Sequence, residues 1–310
     1  MSSKHLLDPE LSPLLEFSPP GFTFTDEILP WYREQQSAAL VMGDAQAAGV
    51  ERTEIEVSGP DGNVRCLLYI PAKVNGTAYL HIHGGGYIIG SAAGSDENNI
   101  AVAAALGIVV LSVDYRLAPE VSIPGPLDDC YAGLAWLHEN AHTLGVDRKR
   151  IAVGGESAGG GLAAALAILA RDKGEYAICH QQLTYPMLDN LTGSAGHEGD
   201  PLVGEFVWTR AHNQFAWKRY LGDAEAIAPQ VPARVERYEG LPPTWIFTGA
   251  LDLFRDENIR YAQKLLQAGV PTDFVMYAGA CHAFQIIPGA ALGERYKVDF
   301  LAGLARGLGL

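Results

Sequence analysis

Continuous apolar runs that alternate with helical patterns constrain the fold of this 310-residue chain more than any other feature. Residues 107–113 (GIVVLSV) lack the polar alternation of a half-exposed strand, which is typical of a strand covered on both faces. The pattern predicts strands near 53–57, 64–70, 78–83, 108–113, 150–154, 179–184, 243–248 and 273–277, and helices near 96–106, 126–142, 158–171 and 256–268. This order predicts a mostly parallel sheet with helices on both faces.

Two segments interrupt this rhythm, and both carry apolar and aromatic residues in patterns that indicate amphipathic helices. Residues 1–48 precede the first strand, and residues 186–224 lie between the sixth strand and the seventh. Such segments either pack on the core or form a lid over an apolar pocket, and we favour the lid. Four large aromatic residues of these segments are predicted to line the pocket: Trp31, Phe206, Trp208 and Phe215.

A serine lies where an apolar strand turns sharply into an Ala- and Leu-rich helix. The turn reads Gly155-Glu156-Ser157-Ala158-Gly159, the Gly-x-Ser-x-Gly pattern in its strand–turn–helix context. Flanking glycines let the backbone pass close to its neighbours while the hydroxyl stands clear of the sheet. The pattern predicts Ser157 as a nucleophile, with the N–H of Ala158 aimed at any developing negative charge. A phosphate-binding loop is excluded because no Gly-Lys-Ser/Thr follows.

Consecutive glycines follow the third predicted strand in the run His83-Gly84-Gly85-Gly86. Bare amides in such a loop can donate to the alkoxide that acyl transfer creates at a carbonyl oxygen. We therefore predict Gly85 and Gly86 as oxyanion donors, completed by Ala158, and leave open whether Gly84 also contributes. His83 is expected to brace the loop through hydrogen bonds.

Two other patterns indicate different chemistry, and we reject both. Glycines 84, 86 and 90 followed by Asp114 resemble a dinucleotide-binding loop, but the spacing is one residue too long and leaves Ser157 without a purpose. Residues 138–142 read His-Glu-x-x-His, a zinc-protease signature, but the predicted helix ends at once and no third ligand follows at a suitable spacing.

His282 and Asp252 complete the predicted triad, in the chain order Ser, Asp, His. His282 follows the strand at 273–277 in a loop of small residues, whereas the competing His212 has no strand before it. Asp252 leaves the carboxyl end of a buried strand, where catalytic residues of such sheets lie. Asp256 is its competitor, and we expect it to cap the next helix instead. Asp252 would fix the tautomer of the imidazole and stabilise its protonated form.

Three motifs together resemble the hormone-sensitive lipase family of α/β-hydrolases, most of all its bacterial carboxylesterases. They are residues 83–86 (HGGG), 114–120 (DYRLAPE) and 155–160 (GESAGG), and the likeness runs from about residue 60 to 285. Two positions depart from the family pattern. Ala283 stands where the family usually has glycine after the base, and Leu253 replaces a proline after the acid.

The resemblance implies an α/β-hydrolase fold, which has an eight-stranded, mostly parallel sheet flanked by helices, with a helical cap. Residues 1–310 would form one domain, with the cap from 1–48 and 186–224 and the catalytic core from 49–185 and 225–310. It also implies a small-molecule substrate, a short- to medium-chain carboxylic ester, with no cofactor and no metal, and a possible homodimer. A non-catalytic ligand receptor on the same scaffold remains an alternative, as does hydrolysis of amides, carbamates or lactones.

Composition and the chain's beginning bear on partners and location. A formal net charge of −14 disfavours nucleic acid and anionic membranes as partners, because like charges repel. The four cysteines lack metal-type spacing and indicate free thiols in a reducing compartment. The first residues resemble no secretory signal, and no apolar stretch reaches the roughly 20 residues of a membrane span. We therefore predict a cytoplasmic location and no membrane span.

Overall fold

The computed structural model describes residues 2–17 and 22–310. Within these residues eight strands form one sheet: β1 (Val50–Gly59), β2 (Gly62–Pro71), β3 (Ala78–Ile82), β4 (Val109–Val113), β5 (Ile151–Glu156), β6 (His180–Thr184), β7 (Thr244–Gly249) and β8 (Thr272–Tyr277). Their order across the sheet is β1-β2-β4-β3-β5-β6-β7-β8. β2 is antiparallel to both β1 and β4, and all other neighbours are parallel. The predicted eight-stranded, mostly parallel sheet is confirmed.

The helices of the described chain cover both faces of this sheet. They are α1 (Leu14–Phe17), α2 (Ile28–Ala38), α3 (Asp96–Leu106), α4 (Gly125–Asn140), α5 (Ala158–Lys173), α6 (Arg210–Leu221), α7 (Arg255–Gln267) and α8 (Ala291–Leu308). The four predicted helices correspond to α3, α4, α5 and α7, with ends that agree within two residues. The prediction missed α8. Across the described residues, no helix has both the length and the apolar character needed to span a membrane.

The sheet separates two apolar cores because successive strand residues alternate between its faces. Leu80, Leu111 and Val153 join the core that α4, α5 and α7 cover, whereas Tyr79 and Val110 join the core that α3 and α8 cover. Every residue of β3 and of β4 is buried. Burial on both faces explains why these strands are mostly apolar, with His81 and Ser112 as the polar exceptions.

The two segments that interrupt the strand–helix rhythm contact each other. Nε2–H of His212 on α6 donates to the carbonyl oxygen of Phe22 at 3.0 Å, and Arg219 on α6 pairs with Asp26 at 2.5 Å. The prediction of helices is correct for α2 and α6 but wrong for residues 186–209, which form neither helix nor strand. Four glycines of this stretch have a positive φ, a conformation that ends helices: Gly193, Gly196, Gly199 and Gly204.

The parallel strands direct their carboxyl ends toward a single edge of the sheet. The loops that leave β3, β5, β7 and β8 at this edge contain the glycine run, Ser157, Asp252 and His282, respectively. In open α/β sheets this edge is where ligands bind. The topology therefore collects the predicted site residues from four separate parts of the chain.

Candidate active site

Ser157 lies on the sharp turn between β5 and α5. Its backbone has φ 57° and ψ −119°, a region that costs a non-glycine residue about 1–3 kcal/mol. A Cβ at Gly155 or at Gly159 would lie 2.0 Å from the carbonyl oxygen of Ile82, at the end of β3. Glycine at both positions therefore allows the turn to pass against β3 while the serine hydroxyl projects from the sheet edge.

His282 connects Ser157 to Asp252. Its Nε2 lies 3.0 Å from Oγ of Ser157, and its Nδ1 lies 2.8 Å from Oδ2 of Asp252. The other carboxylate oxygen of Asp252 accepts the backbone N–H of Phe254 at 2.9 Å. Asp252 is fully buried, and Ser157 and His282 are each 5% exposed. With Asp252 ionised, the imidazole proton resides on Nδ1, so Nε2 is the acceptor for the Ser157 hydroxyl.

The loop after β3 brings its glycines to the serine turn. Gly85 and Gly86 have φ of 119° and 60°, and a Cβ at Gly84 would lie 3.6 Å from Cβ of Ser157. Among hydrogen bonds between described residues, the N–H groups of Gly85, Gly86 and Ala158 donate to no backbone or side-chain acceptor. These donors are therefore available to an oxyanion.

His83 braces this loop as a neutral ring. Its Nδ1–H donates to the carbonyl oxygen of Gly84 at 2.8 Å. The ring stacks on Tyr115 with centroids 4.2 Å apart and planes 10° apart, and the Tyr115 hydroxyl donates to the His83 carbonyl oxygen at 3.1 Å. Burial lowers the pKa of His83 to about 4, so the ring is uncharged near neutral pH.

Three aromatic rings surround the imidazole of His282. Tyr185, Phe254 and Trp208 have centroids 4.5, 5.3 and 6.2 Å from it. A Cβ at Gly86 would come within 2.2 Å of the Trp208 ring, so this indole lies directly against the oxyanion loop. Trp208 was predicted from the sequence, whereas Tyr185 and Phe254 were not. Their positions in the sequence could have indicated a place at the site, since Tyr185 directly follows β6 and Phe254 is two residues from Asp252.

The other predicted pocket residues lie farther from the triad. Phe206 is buried in the core that α3 and α8 cover. Phe215 stacks on Phe24 at 6.4 Å, and Phe24 in turn lies 6.3 Å from Trp208, so Phe215 forms a second layer. Trp31 is 57% exposed and is not brought to the site. The reason is helical geometry: buried Leu29, two residues earlier on α2, occupies the inner face and leaves Trp31 on the outer one.

Motifs that the sequence analysis set aside have structural contacts. Arg116 forms hydrogen bonds of 2.8 to 3.1 Å with Asp129. Oδ1 of Asp114 accepts the backbone N–H of Ala92 at 2.8 Å, which ties the segment after the glycine loop to β4. His138 donates from Nε2 to the carbonyl oxygen of Ala177 at 2.9 Å. Within residues 2–17 and 22–310, no group of three or more His, Cys, Asp or Glu side chains is arranged to hold a metal ion.

A buried carboxyl group that sequence reasoning missed fastens residues 186–209 to the core. Oε1 of Glu257, in the first turn of α7, accepts the backbone N–H groups of Leu188 at 2.7 Å and Asp189 at 3.3 Å. Its Oε2 pairs with the hydroxyl of Thr192. Burial raises the pKa of Glu257 to about 8. Two residues earlier, Arg255 donates to Asp200 at 2.8 Å, so one helical turn holds this segment at two points.

This geometry agrees with the similarity of the chain to known proteins. Residues 79–286 match a family model described as alpha/beta hydrolase fold. Carboxylesterase NlhH of Mycobacterium tuberculosis is 33% identical over a 298-position alignment that covers 92% of each chain. Carboxylic ester hydrolase LipN of the same organism is 33% identical over a 314-position alignment that covers 95% of this chain and 82% of the relative.

A solved structure extends the likeness to three dimensions. The protein named Bacterial Heroin Esterase superimposes with a TM-score of 0.89 at 37% identity, over 98% of both chains. The match thus includes the sheet, the loops at its carboxyl edge and the two inserted segments. The chain belongs to the α/β-hydrolases, in the family that resembles hormone-sensitive lipase.

Proposed function

We propose that this chain hydrolyses short- to medium-chain carboxylic esters through an acyl-enzyme on Ser157. Carboxylic-ester hydrolysis is supported by the relatives, which are named esterase, carboxylesterase and carboxylic ester hydrolase. One observation carries the serine mechanism: the hydrogen-bonded line from Ser157 through His282 to Asp252, at 3.0 and 2.8 Å. A serine is activated in this way when an adjacent base takes its proton.

Acylation begins when Oγ of Ser157 attacks the ester carbonyl carbon while its proton passes to Nε2 of His282. The carbonyl electron pair moves to oxygen, and the N–H groups of Gly85, Gly86 and Ala158 stabilise that oxyanion. One such donor is typically worth about 3 kcal/mol. Asp252 stabilises the imidazolium without taking its proton. The ester C–O bond then breaks, and His282 protonates the departing alcohol.

Deacylation repeats these steps with water as the nucleophile. Nε2 of His282 takes a proton from water, the hydroxide oxygen bonds to the acyl carbon, and the same donors hold the second oxyanion. Collapse breaks the bond to Oγ of Ser157, which recovers the proton. Ester and water are thus converted to acid and alcohol, and the enzyme returns to its starting state.

The rings around His282 form the apolar wall of the proposed pocket. Tyr185, Phe254 and Trp208 lie closest to the imidazole, and Phe215 lies behind Trp208 through Phe24. Phe206 is buried in the core that α3 and α8 cover, and Trp31 is exposed. The contacts between residues 22–26 and α6 support a cap built from 1–48 and 186–224 over a core of 49–185 and 225–310. A pocket enclosed by aromatic rings favours short and medium acyl chains.

The test is the replacement of Ser157 by alanine, measured on aryl esters of increasing acyl length. We expect kcat to fall by about 10⁶ while the unfolding transition is retained. Covalent labelling of Ser157 by an organophosphate, located by mass spectrometry, separates an enzyme from a receptor on the same scaffold. Near-normal ester cleavage by the alanine variant would refute the mechanism. Rates on paired esters, amides, carbamates and lactones define the bond that is cleaved.

A cytoplasmic location and a homodimer complete the proposal. All four cysteines are free thiols in the structure, as expected in a reducing compartment. Cell fractionation tests the location, and sedimentation velocity at several protein concentrations tests the assembly.

A further inference from the structure

A second serine, histidine and glutamate lie in line directly beneath the serine turn. Nδ1 of His81 on β3 lies 2.9 Å from Oγ of Ser112 on β4, and its Nε2 lies 3.0 Å from Oε2 of Glu156. Glu156 ends β5 and immediately precedes Ser157. His81 and Ser112 expose no surface, so no substrate reaches this serine. The cluster must therefore act through its neighbours.

The strand register explains how this cluster forms. His81 is paired with Ser112 on one side and with Gly154 on the other. Gly154 and Glu156 are two residues apart on β5, so they face the same side of the sheet as the ring. The imidazole extends past Gly154 to the carboxylate of Glu156, a diagonal cross-strand contact within reach of long side chains.

The hydrogen bonds define what His81 provides. A carboxylate only accepts, so Nε2 of His81 carries the proton that Glu156 binds. Ser112 and the amide of Asn99, 2.9 and 3.2 Å from Nδ1, hold the other ring nitrogen. Among the described residues, His81 is the only side chain within hydrogen-bonding or ion-pair distance of the Glu156 carboxylate. The side chain of Glu156 is 16% exposed, which leaves it room to turn.

We propose that His81 is a positioning residue for hydrolysis, which holds the Glu156 carboxylate on the α3 side of the sheet and away from the reacting centre. The inference rests on the proposed function, because it takes Ser157 as the nucleophile. The oxyanion develops on the substrate beside Ser157, the residue that follows Glu156, in a buried site where water screens charge poorly. A Glu156 carboxylate released from His81 would place its negative charge near this oxyanion. This charge would oppose the transition state more than the bound ester, so kcat would fall and KM would change little.

A double-variant cycle tests this proposal. The variants are His81→Leu, which removes the N–H, Glu156→Gln, which removes the charge, and the two combined. The kcat and KM for an aryl acetate are measured per mole of Ser157 titrated by an organophosphate, so unfolded protein is not counted. We expect His81→Leu to lower kcat at least about tenfold with KM within about twofold of wild type. The double variant should recover most of the lost kcat, because Glu156→Gln removes the negative charge that His81 holds in place.

His180 provides the matched control. It is likewise a buried histidine on a strand, but its Nε2 lies 2.8 Å from the neutral side chain of Gln182. His180→Leu removes a comparable ring far from the serine turn, and it should leave kcat per titrated site near wild type even if stability falls. The same cycle with His81→Gln, a milder change, is run in parallel. If His81→Leu does not fold, the kcat of His81→Gln is compared with that of His81→Gln combined with Glu156→Gln.

Two results would overturn the proposal. One is an unchanged kcat per titrated site in both His81 variants. The other is a double variant no more active than the corresponding single His81 variant, since His81 would then matter only for packing. Either result leaves the proposed function intact as long as the wild-type enzyme hydrolyses the ester and is labelled at Ser157. Absence of that labelling would instead refute the proposed function.

Discussion

Glu257→Gln isolates the energetic effect of one buried carboxyl group. The amide oxygen can still accept the backbone N–H groups of Leu188 and Asp189, and the amide nitrogen can donate to Thr192, so the contacts are retained. What changes is the ability to ionise. The variant therefore measures how protonation of Glu257 affects stability, with the shape of the site preserved.

The magnitude follows from the difference between the folded and unfolded pKa values. Burial raises the pKa of Glu257 from 4.5 to about 8, so between these pH values the folded chain binds one proton more than the unfolded chain. The free energy of unfolding then decreases by about 1.4 kcal/mol for each pH unit. Below pH 4.5 the group has no such effect, and the loss is complete above about pH 8. From pH 5 to pH 9 the wild type should lose about 4 kcal/mol relative to the variant.

Urea unfolding followed by tryptophan fluorescence at pH 5, 7 and 9 measures this difference. Other titrating groups are common to both proteins and cancel when the two curves are subtracted. Glu294→Gln, an exposed carboxylate on α8, serves as the control and should leave the pH dependence unchanged. Parallel stability curves for wild type and Glu257→Gln would refute the reasoning, because they would mean that Glu257 ionises alike in the folded and unfolded chains.

Three further predictions concern the reacting centre. Asp252→Asn should retain the fold but lower kcat by about 10⁴, because the amide favours the wrong imidazole tautomer; kinetics on an aryl ester with circular dichroism as control test this. Gly86→Ala keeps the N–H donor but should displace it and lower kcat by about 10²–10³, since the added Cβ would strike Trp208 and a φ of 60° disfavours alanine; a normal kcat would refute the expected clash. Trp208→Ala should shift the acyl-length optimum of kcat/KM toward longer esters, and an unchanged profile would show that this indole does not bound the pocket.

Local patterns made most of the core predictable from the sequence. Short β-rich runs, several of them continuous and apolar, indicated all eight strands, and the glycines around Ser157 indicated a close approach of backbones that the structure shows at Ile82. Ser157 and Asp252 each lie within hydrogen-bonding distance of His282, because all three residues follow parallel strands whose carboxyl ends reach the same edge. Their catalytic roles remain predictions.

The features that were missed depend on contacts between distant parts of the chain. Residues 186–209 have no periodic structure of their own, and their conformation depends on groups such as Glu257 that lie some 50 to 70 residues later. The pairing of His81 with Glu156 is equally hidden, since 75 residues separate them and only the strand register brings them together. The exposure of Trp31 on α2 was not predictable, because apolar character alone does not distinguish the inner face of a helix from the outer one.

The loop after β7 has two functions, and this explains how an irregular segment can hold a ring beside the triad. Its beginning contains Asp252, which orients His282, and the next helical turn contains Arg255 and Glu257, which bind residues 188–200. The carbonyl oxygen of Leu251 also accepts the backbone N–H of Gly204 at 3.1 Å, four residues before Trp208. The segment has no helix or strand of its own, and this loop is one of the parts of the chain that hold it in place, together with the side chains of Arg210 and Arg234. The base and the pocket wall therefore share one support, and a change in the first turn of α7 should affect both substrate preference and the alignment of His282.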